Sequence, residues 1–294
     1  MENGNDAFDS GKNQVVRIMK FKFETIPLFY QLDELLIDLL ESLSPEDWKM
    51  PTVAKHWNVK DVAAHLLDGN IRGLSHSRDR YFGVKPPTLN SYHDLVDFIN
   101  QQNESWTAVT QRISPRLLIE LLKITGKQYA DHLASLNPED EAIFSVAWAG
   151  QNASPNWFHI AREYTEKFLH QQQIRDAVGK SGIMTREYFY PFIDILMRAF
   201  PYTFRDMDAK KGTKVGIEII SEIGGLWVIE RKEENWDLIS NPKSPLDAKV
   251  QLNPHVAWKL FSKSWRPSQV IDQVIFEGDP KLGRQALNLL GFMA

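Results

Sequence analysis

The hydrophobic repeat of this chain changes once, and that change constrains the fold more than any other feature. Up to about residue 180, apolar residues recur at helical spacing. Beyond "GKSG" (179–182) they fall into short runs of period two. "LFYQLDELLIDLLESL" (28–43) carries Leu32, Leu35, Leu36, Leu39, Leu40 and Leu43 on one face, and Ser44-Pro45 stops it. Asn58 caps a second helix with Asp61 at its third position, and that pattern runs through "VKDVAAHLLDGNIRGLSHS". "YFGVKPPTLN" (81–90) is a loop by its glycine and paired prolines. Ser91 opens a third helix to about Ile113, and Ser114-Pro115 opens a fourth with proline at the first helical position. Ser154-Pro155 starts a fifth, which Gly179 ends. Long helices separated by loops predict an all-α antiparallel bundle over 19–180.

After the break, "TREYFYPFIDILMRAF" is one more helix. "TKVGIEIIS", "GLWVIERK", "NWDLIS" and "AKVQLN" then read as strands, followed by a helix over 254–262, the strand "VIFEG" and a helix opened by Asp279-Pro280. This predicts a small α+β domain over 183–294 with a mainly antiparallel sheet. The alternation that puts Trp227 and Ile229 on one face is what a sheet packed on helices needs.

A net charge of −4 argues against a nucleic-acid or anionic-membrane footprint. The apolar run "LDELLIDLLESL" is too short and too acidic to span a bilayer. The polar opening "MENGNDAFDSGKNQ" lacks the pattern of a signal peptide, and residues 1–18 read as a flexible tail of a cytoplasmic protein. The chain has no cysteine, so it offers no thiolate ligand or thiol nucleophile of its own.

Chemistry concentrates in "REYTEKFLHQQQIRDAVG" (162–179). On a helical wheel His170 lies about 20° from Glu166, Glu163 about 20° to the other side, and His159 close to the same line. Glu166 and His170, one turn apart, can bind one ion together. On the helix from Asn58, His65 shares a face with Asp61, Arg72 and His76. If these two polar faces meet, His65 adds a third ligand. Two histidines and a carboxylate suit zinc, or nickel or another first-row divalent ion, with one coordination position open. Asp61, Asp68, His159 and Glu163 are candidates to orient the ligands from behind. The opposite reading of the same residues is a solvated helix face, with His65 a hydrogen-bonded bundle histidine.

Two segments shift that balance. "WNVKDVAAHLLDGNIR" and "AWAGQNASPNWFHIAREYTEKFLHQQQIRDAVG" resemble the signature segments of the mycothiol-dependent maleylpyruvate isomerase family, within the DinB-like metal-binding four-helix bundles. The resemblance implies metal ligation by His65, Glu166 and His170. The stretch from "VQLNPHVAWKLFSKSW" to "FEGDPKLGRQALNLLGFMA" resembles the sterol-carrier-like C-terminal domain that many members carry. The family implies a small-molecule substrate and an external low-molecular-weight thiol, which a metal would hold as thiolate for an S-transferase or isomerase reaction. Arg72 could hold a substrate carboxylate, or simply pair with Asp68 or Asp61. Arg175, pointing away from the stripe, reads as structural. Two further readings stay open: a hydrolase using metal-bound water with Glu163 or His159 as base, and a non-catalytic ligand-binding protein whose metal is fully ligated, with His159 or His76 as fourth ligand.

Overall fold

The computed structural model describes residues 24–84, 87–88, 91–240, 242 and 244–292. The expected tail over 1–18 lies outside the described residues, as do parts of the loop over 81–90. Helix boundaries follow local chemistry. Helix α1 (Ile26–Glu41) begins two residues before the expected start because Pro27 suits the first turn. Helix α2 (Val59–Gly73) opens with reciprocal capping: the Asn58 side chain accepts from the Asp61 amide at 3.0 Å, and the Asp61 carboxylate accepts from the Asn58 amide at 3.1 Å. It runs into a single π-helical turn, Leu74–Arg78. Ser91 and Asp94 cap α3 (Tyr92–Thr110) in the same reciprocal way. The Ser114 hydroxyl caps α4 (Pro115–Ser135).

Helix α5 (Asn156–Val178) departs from expectation at its start, where Pro155 is the residue before the helix rather than its first. The Ser154 hydroxyl is occupied elsewhere, accepting from the Val146 amide at 2.9 Å. At the other end Gly179, with φ +66°, takes the left-handed conformation that closes the helix. Helices α1, α2, α4 and α5 pack on one another, whereas α3 leans on α2.

In the C-terminal part, α6 (Arg186–Leu196) ends before the predicted helix does. A 3-10 turn, Met197–Ala199, and the short α7 (Phe200–Thr203) replace its last turn, where Pro201 cannot continue the hydrogen-bond ladder. Strands β1 (Lys214–Ile219), β2 (Gly225–Arg231), β3 (Trp236–Ile239), β4 (Ala248–Leu252) and β5 (Ile275–Gly278) form one sheet in the order β3-β2-β1-β4-β5. Only the β1–β4 pair is parallel, so the sheet is mainly antiparallel as expected. Helices α8 (Pro254–Phe261), α9 (Pro267–Val270) and α10 (Pro280–Ala286) complete it, each with proline in its first turn.

The change of element type falls near residue 180, but the buried core does not break there. One cluster runs from Phe29 of α1 through Phe168 of α5 and Phe192 of α6 to Ile217 and Trp258. Phe168 stacks on Phe192 with ring centroids 4.3 Å apart, which joins the bundle to the C-terminal part. Trp227 is buried on the sheet's inner face and donates its indole N–H to Asp194 at 2.7 Å. The Arg175 guanidinium donates to the Ser181 carbonyl and, at 2.9 Å, to that of Leu35, tying the end of α5 to α1 and the linker.

Candidate metal centre

Helix α5 is buried on nearly every side, by α1, α2 and α6. Most polar side chains of a helix so placed are buried, and a buried polar group is costly without a partner. Lys167 pairs with Asp33 of α1. Glu166 and His170 turn toward α2 and meet His65, and one ligand atom from each of the three lies within 4.8 Å of the others. The Glu166 Oε2 to His170 Nε2 distance is 3.3 Å. The two imidazole rings meet edge to face, centroids 4.6 Å apart.

Two further side chains fix this arrangement. The Gln173 Oε1 lies 2.9 Å from His170 Nδ1. With the amide oxygen accepting, Nδ1 carries a proton and Nε2 is the ring nitrogen turned toward Glu166. Trp57, the residue before the cap of α2, lays its indole against His65 at a centroid distance of 4.8 Å. The segment before α2 holds it there: the Thr52 amide and hydroxyl both donate to the Trp57 carbonyl, at 3.0 and 2.9 Å. Burial, then the neighbouring His170 and Arg72, keep the His65 pKa well below its usual value. His65 is therefore neutral near pH 7, and its buried Nδ1 has no hydrogen-bond partner.

One turn away on α5 lies a second group. The Arg162 Nη2 donates to Glu163 Oε1 and, at 2.9 Å, to His159 Nδ1, while the Tyr129 hydroxyl donates to Glu163 Oε2 at 2.9 Å. Burial alone would raise the Glu163 pKa, but the Arg162 guanidinium, His159 and the Tyr129 hydroxyl outweigh it and hold it below the usual value. Burial first and Arg162 second lower the His159 pKa to about 4. Gly73 of α2 makes the Tyr129 contact possible, since a Cβ there would lie 2.4 Å from the tyrosine ring. Gly73→Ala should therefore cost about 1–3 kcal/mol in chemical denaturation by forcing that ring aside.

His159 also predicts a pH dependence. Its folded pKa lies below its unfolded value of about 6.5, so the unfolded chain binds the extra proton first as pH falls. Stability from this residue is complete above pH 6.5 and is lost toward pH 4, to a total on the order of 3 kcal/mol. Thermal melts between pH 7 and 4 should steepen in that window for the native chain and flatten for His159→Gln.

The remaining sequence candidates have other partners. Asp61 caps α2 and accepts from Gln111 Nε2 at 2.8 Å, so it serves the helix start rather than a metal ligand. Asp68 pairs with Arg72 at 2.9 Å, and Arg72 also donates to Asn103 at 3.3 Å. The ion-pair reading of Arg72 is the one observed. His159 and Glu163 hold Arg162 and Tyr129, not the cluster. His76 stacks on Phe82 and is no fourth ligand. Trp57, Gln173, Arg162 and Tyr129 were missed by sequence reasoning. Of these, Gln173 and Arg162 sit three or four residues from cluster members on the same helix, a signal that was available.

A cavity of about 1340 Å³ opens over the cluster. Besides His65, Glu166 and His170, it is lined by Tyr129 and Arg162 and, from the C-terminal part, by Lys263 and Arg266. Residues 29–175, half the chain and all three cluster residues, match the family model of the mycothiol maleylpyruvate isomerase N-terminal domain. The chain belongs to this family. Two crystal structures of the mycothiol-dependent maleylpyruvate isomerase, one of a histidine-to-alanine mutant, align with 88% of this chain and 94% of theirs, at TM-score 0.53 and 10% identity. This family fold thus extends past residue 175 into the sheet. A UbiJ-SCP2 ubiquinone synthesis protein aligns with 34% of this chain and 96% of its own at 13% identity, but its TM-score of 0.25 is too low to define the second unit. No curated protein matches the chain in sequence. No described helix is long and apolar enough to cross a membrane.

Proposed function

We propose that this member of the maleylpyruvate isomerase family is a metal-dependent enzyme that directs an external thiol at a small electrophilic substrate, as an isomerase or S-transferase. The observation that carries the reading is the convergence of His65, Glu166 and His170 at the wall of a large cavity. The donor set fits a divalent ion: two imidazoles, one of them oriented by Gln173, and one carboxylate. Zinc suits it best by ligand type, with nickel or another first-row ion compatible. The orphaned, buried Nδ1 of His65 marks a polar site built for more than packing.

A bound ion supplies a positive charge that keeps a coordinating thiol deprotonated at neutral pH. The chain's own residues do the rest. Gln173 fixes the His170 tautomer. Trp57 covers one side of His65. Tyr129, its pKa raised well above the usual value by burial and by Glu163, stays protonated and donates to Glu163. Arg162 lies largely buried beside Glu163 and balances its charge at the cavity wall. With no cysteine in the chain, the thiol comes from outside.

The hydrolase reading is less well supported, because its bases are engaged: Glu163 by Arg162 and Tyr129, His159 by Arg162. A fully ligated structural metal is also disfavoured, since the cluster found among the described residues has three members. The test is a titration of cobalt-loaded protein with 2-mercaptoethanol. A thiolate-to-cobalt charge-transfer band supports the proposal. A cobalt spectrum indifferent to thiol would overturn the thiol-dependent reading.

A further inference from the structure

The cavity over the cluster is large. Pockets for drug-sized ligands span roughly 300–1000 Å³, against about 1340 Å³ here. Its outer part differs in chemistry from the wall that holds the cluster. His76, in the π-helical turn that ends α2, stacks nearly parallel on Phe82, with centroids 5.2 Å apart and an interplanar angle of 13°. Phe144, from the segment between α4 and α5, meets the same imidazole edge to face at 5.8 Å and 73°. All three line the cavity, as do Leu95, Phe98 and Ile99 of α3. Phe82 is 47% exposed and Phe144 41%. Large apolar side chains grouped and left open inside a cavity mark a place where an apolar guest is received.

The two arginines on the bundle side of the cavity are already paired. Arg72 is spent on Asp68 and Asn103, and Arg162 on Glu163 and His159. Burial, then Arg72, lower the His76 pKa, so the ring that stacks on Phe82 is a neutral aromatic surface near pH 7. His76 and Phe82 lie six residues apart, and Phe144 joins them from the segment between α4 and α5.

We propose that His76, Phe82 and Phe144 form an aromatic subsite that receives a planar aromatic group of the electrophilic substrate, while the reacting atom lies toward His65, Glu166 and His170. This deepens the proposed function and rests on it for the word substrate, though the subsite itself is testable alone. The guest ring gains by stacking and edge-to-face contact, and by leaving water. On this assignment the substrate is an aromatic electrophile rather than a small aliphatic dicarboxylate, and the subsite sets specificity.

The probe is 1-naphthol, a neutral planar molecule, titrated by calorimetry into zinc-loaded full-length protein, with maleate as the small dianion for comparison. Zinc content is measured on the same samples. The test variant is Phe82→Ala/Phe144→Ala; both side chains are partly exposed, so their loss opens no sealed core. Ile124→Ala is the control, an exposed apolar residue on α4 that does not line the cavity. The expected result is 1-naphthol binding that weakens about tenfold in the double variant and is unchanged in the control. Maleate should bind more weakly than 1-naphthol and ignore the double substitution. Absence of 1-naphthol binding, equal affinity in the double variant, or equal weakening in the control would each overturn the subsite. Loss of zinc from the native protein alone would count against the proposed function and leave the naphthol result to be read separately.

Discussion

His170→Ala should lower zinc affinity by more than about 100-fold, measured by competition with a chromophoric chelator. The scale comes from a lesser insult: removing only a residue that orients a metal-bound histidine typically costs about 10–100-fold. Gln173→Leu is that lesser insult here. It leaves the His170 ring in place but removes the acceptor that holds the proton on Nδ1. The two variants should therefore rank, with Gln173→Leu intermediate between native and His170→Ala. The zinc-dependent rise in melting temperature should shrink in the same order, because an ion that binds only the folded state stabilises in proportion to its affinity. If both variants bind zinc as the native chain does, the cluster is a polar helix contact and not a metal centre.

Arg162→Leu should destabilise the chain by about 3–5 kcal/mol in urea denaturation, whatever the metal does. Glu163 is largely buried, and Arg162 is its charge partner. Without the guanidinium, Glu163 keeps only the Tyr129 hydroxyl, and His159 Nδ1 loses its donor. A buried charge stripped of its partner is costly, whereas removing both members of such a pair is often close to neutral. Arg162→Leu/Glu163→Gln should therefore recover a large part of the loss. A single-variant cost below about 1 kcal/mol, the range of a surface pair, would mean that water reaches this group and that the cavity wall is not dry.

The helix caps at Asn58, Ser91, Ser114 and Gly179 were legible because each is settled within four residues of sequence. The Glu166–His170 pair was legible for the same reason, and His65 could be joined to it once two polar faces were supposed to meet. The features that escaped are set by contacts across helices. The wheel gave α5 one apolar and one polar side, yet Lys167, Gln171 and Gln172 are buried as well, because α1, α2 and α6 enclose it. Trp57 and Tyr129 reach their targets from other elements, and no local spacing announces them. Asp61 shows two patterns in competition. The same residue fits a capping box and a ligand-orienting role, and the cap prevails because its partner is three residues away and closing so short a loop costs little entropy. Arg72 and Asp68, one turn apart on α2, find each other for the same reason.

The claim on which the rest depends is that one ion sits between α2 and α5. It is tested most directly by an anomalous difference map, recorded at the zinc edge from crystals of the zinc-loaded protein. One strong peak is expected about 2.0–2.2 Å from His170 Nε2, from a His65 ring nitrogen and from a Glu166 carboxylate oxygen, with the fourth position open to the cavity. A peak elsewhere, a peak ligated by four protein side chains, or no peak at this cluster would contradict it.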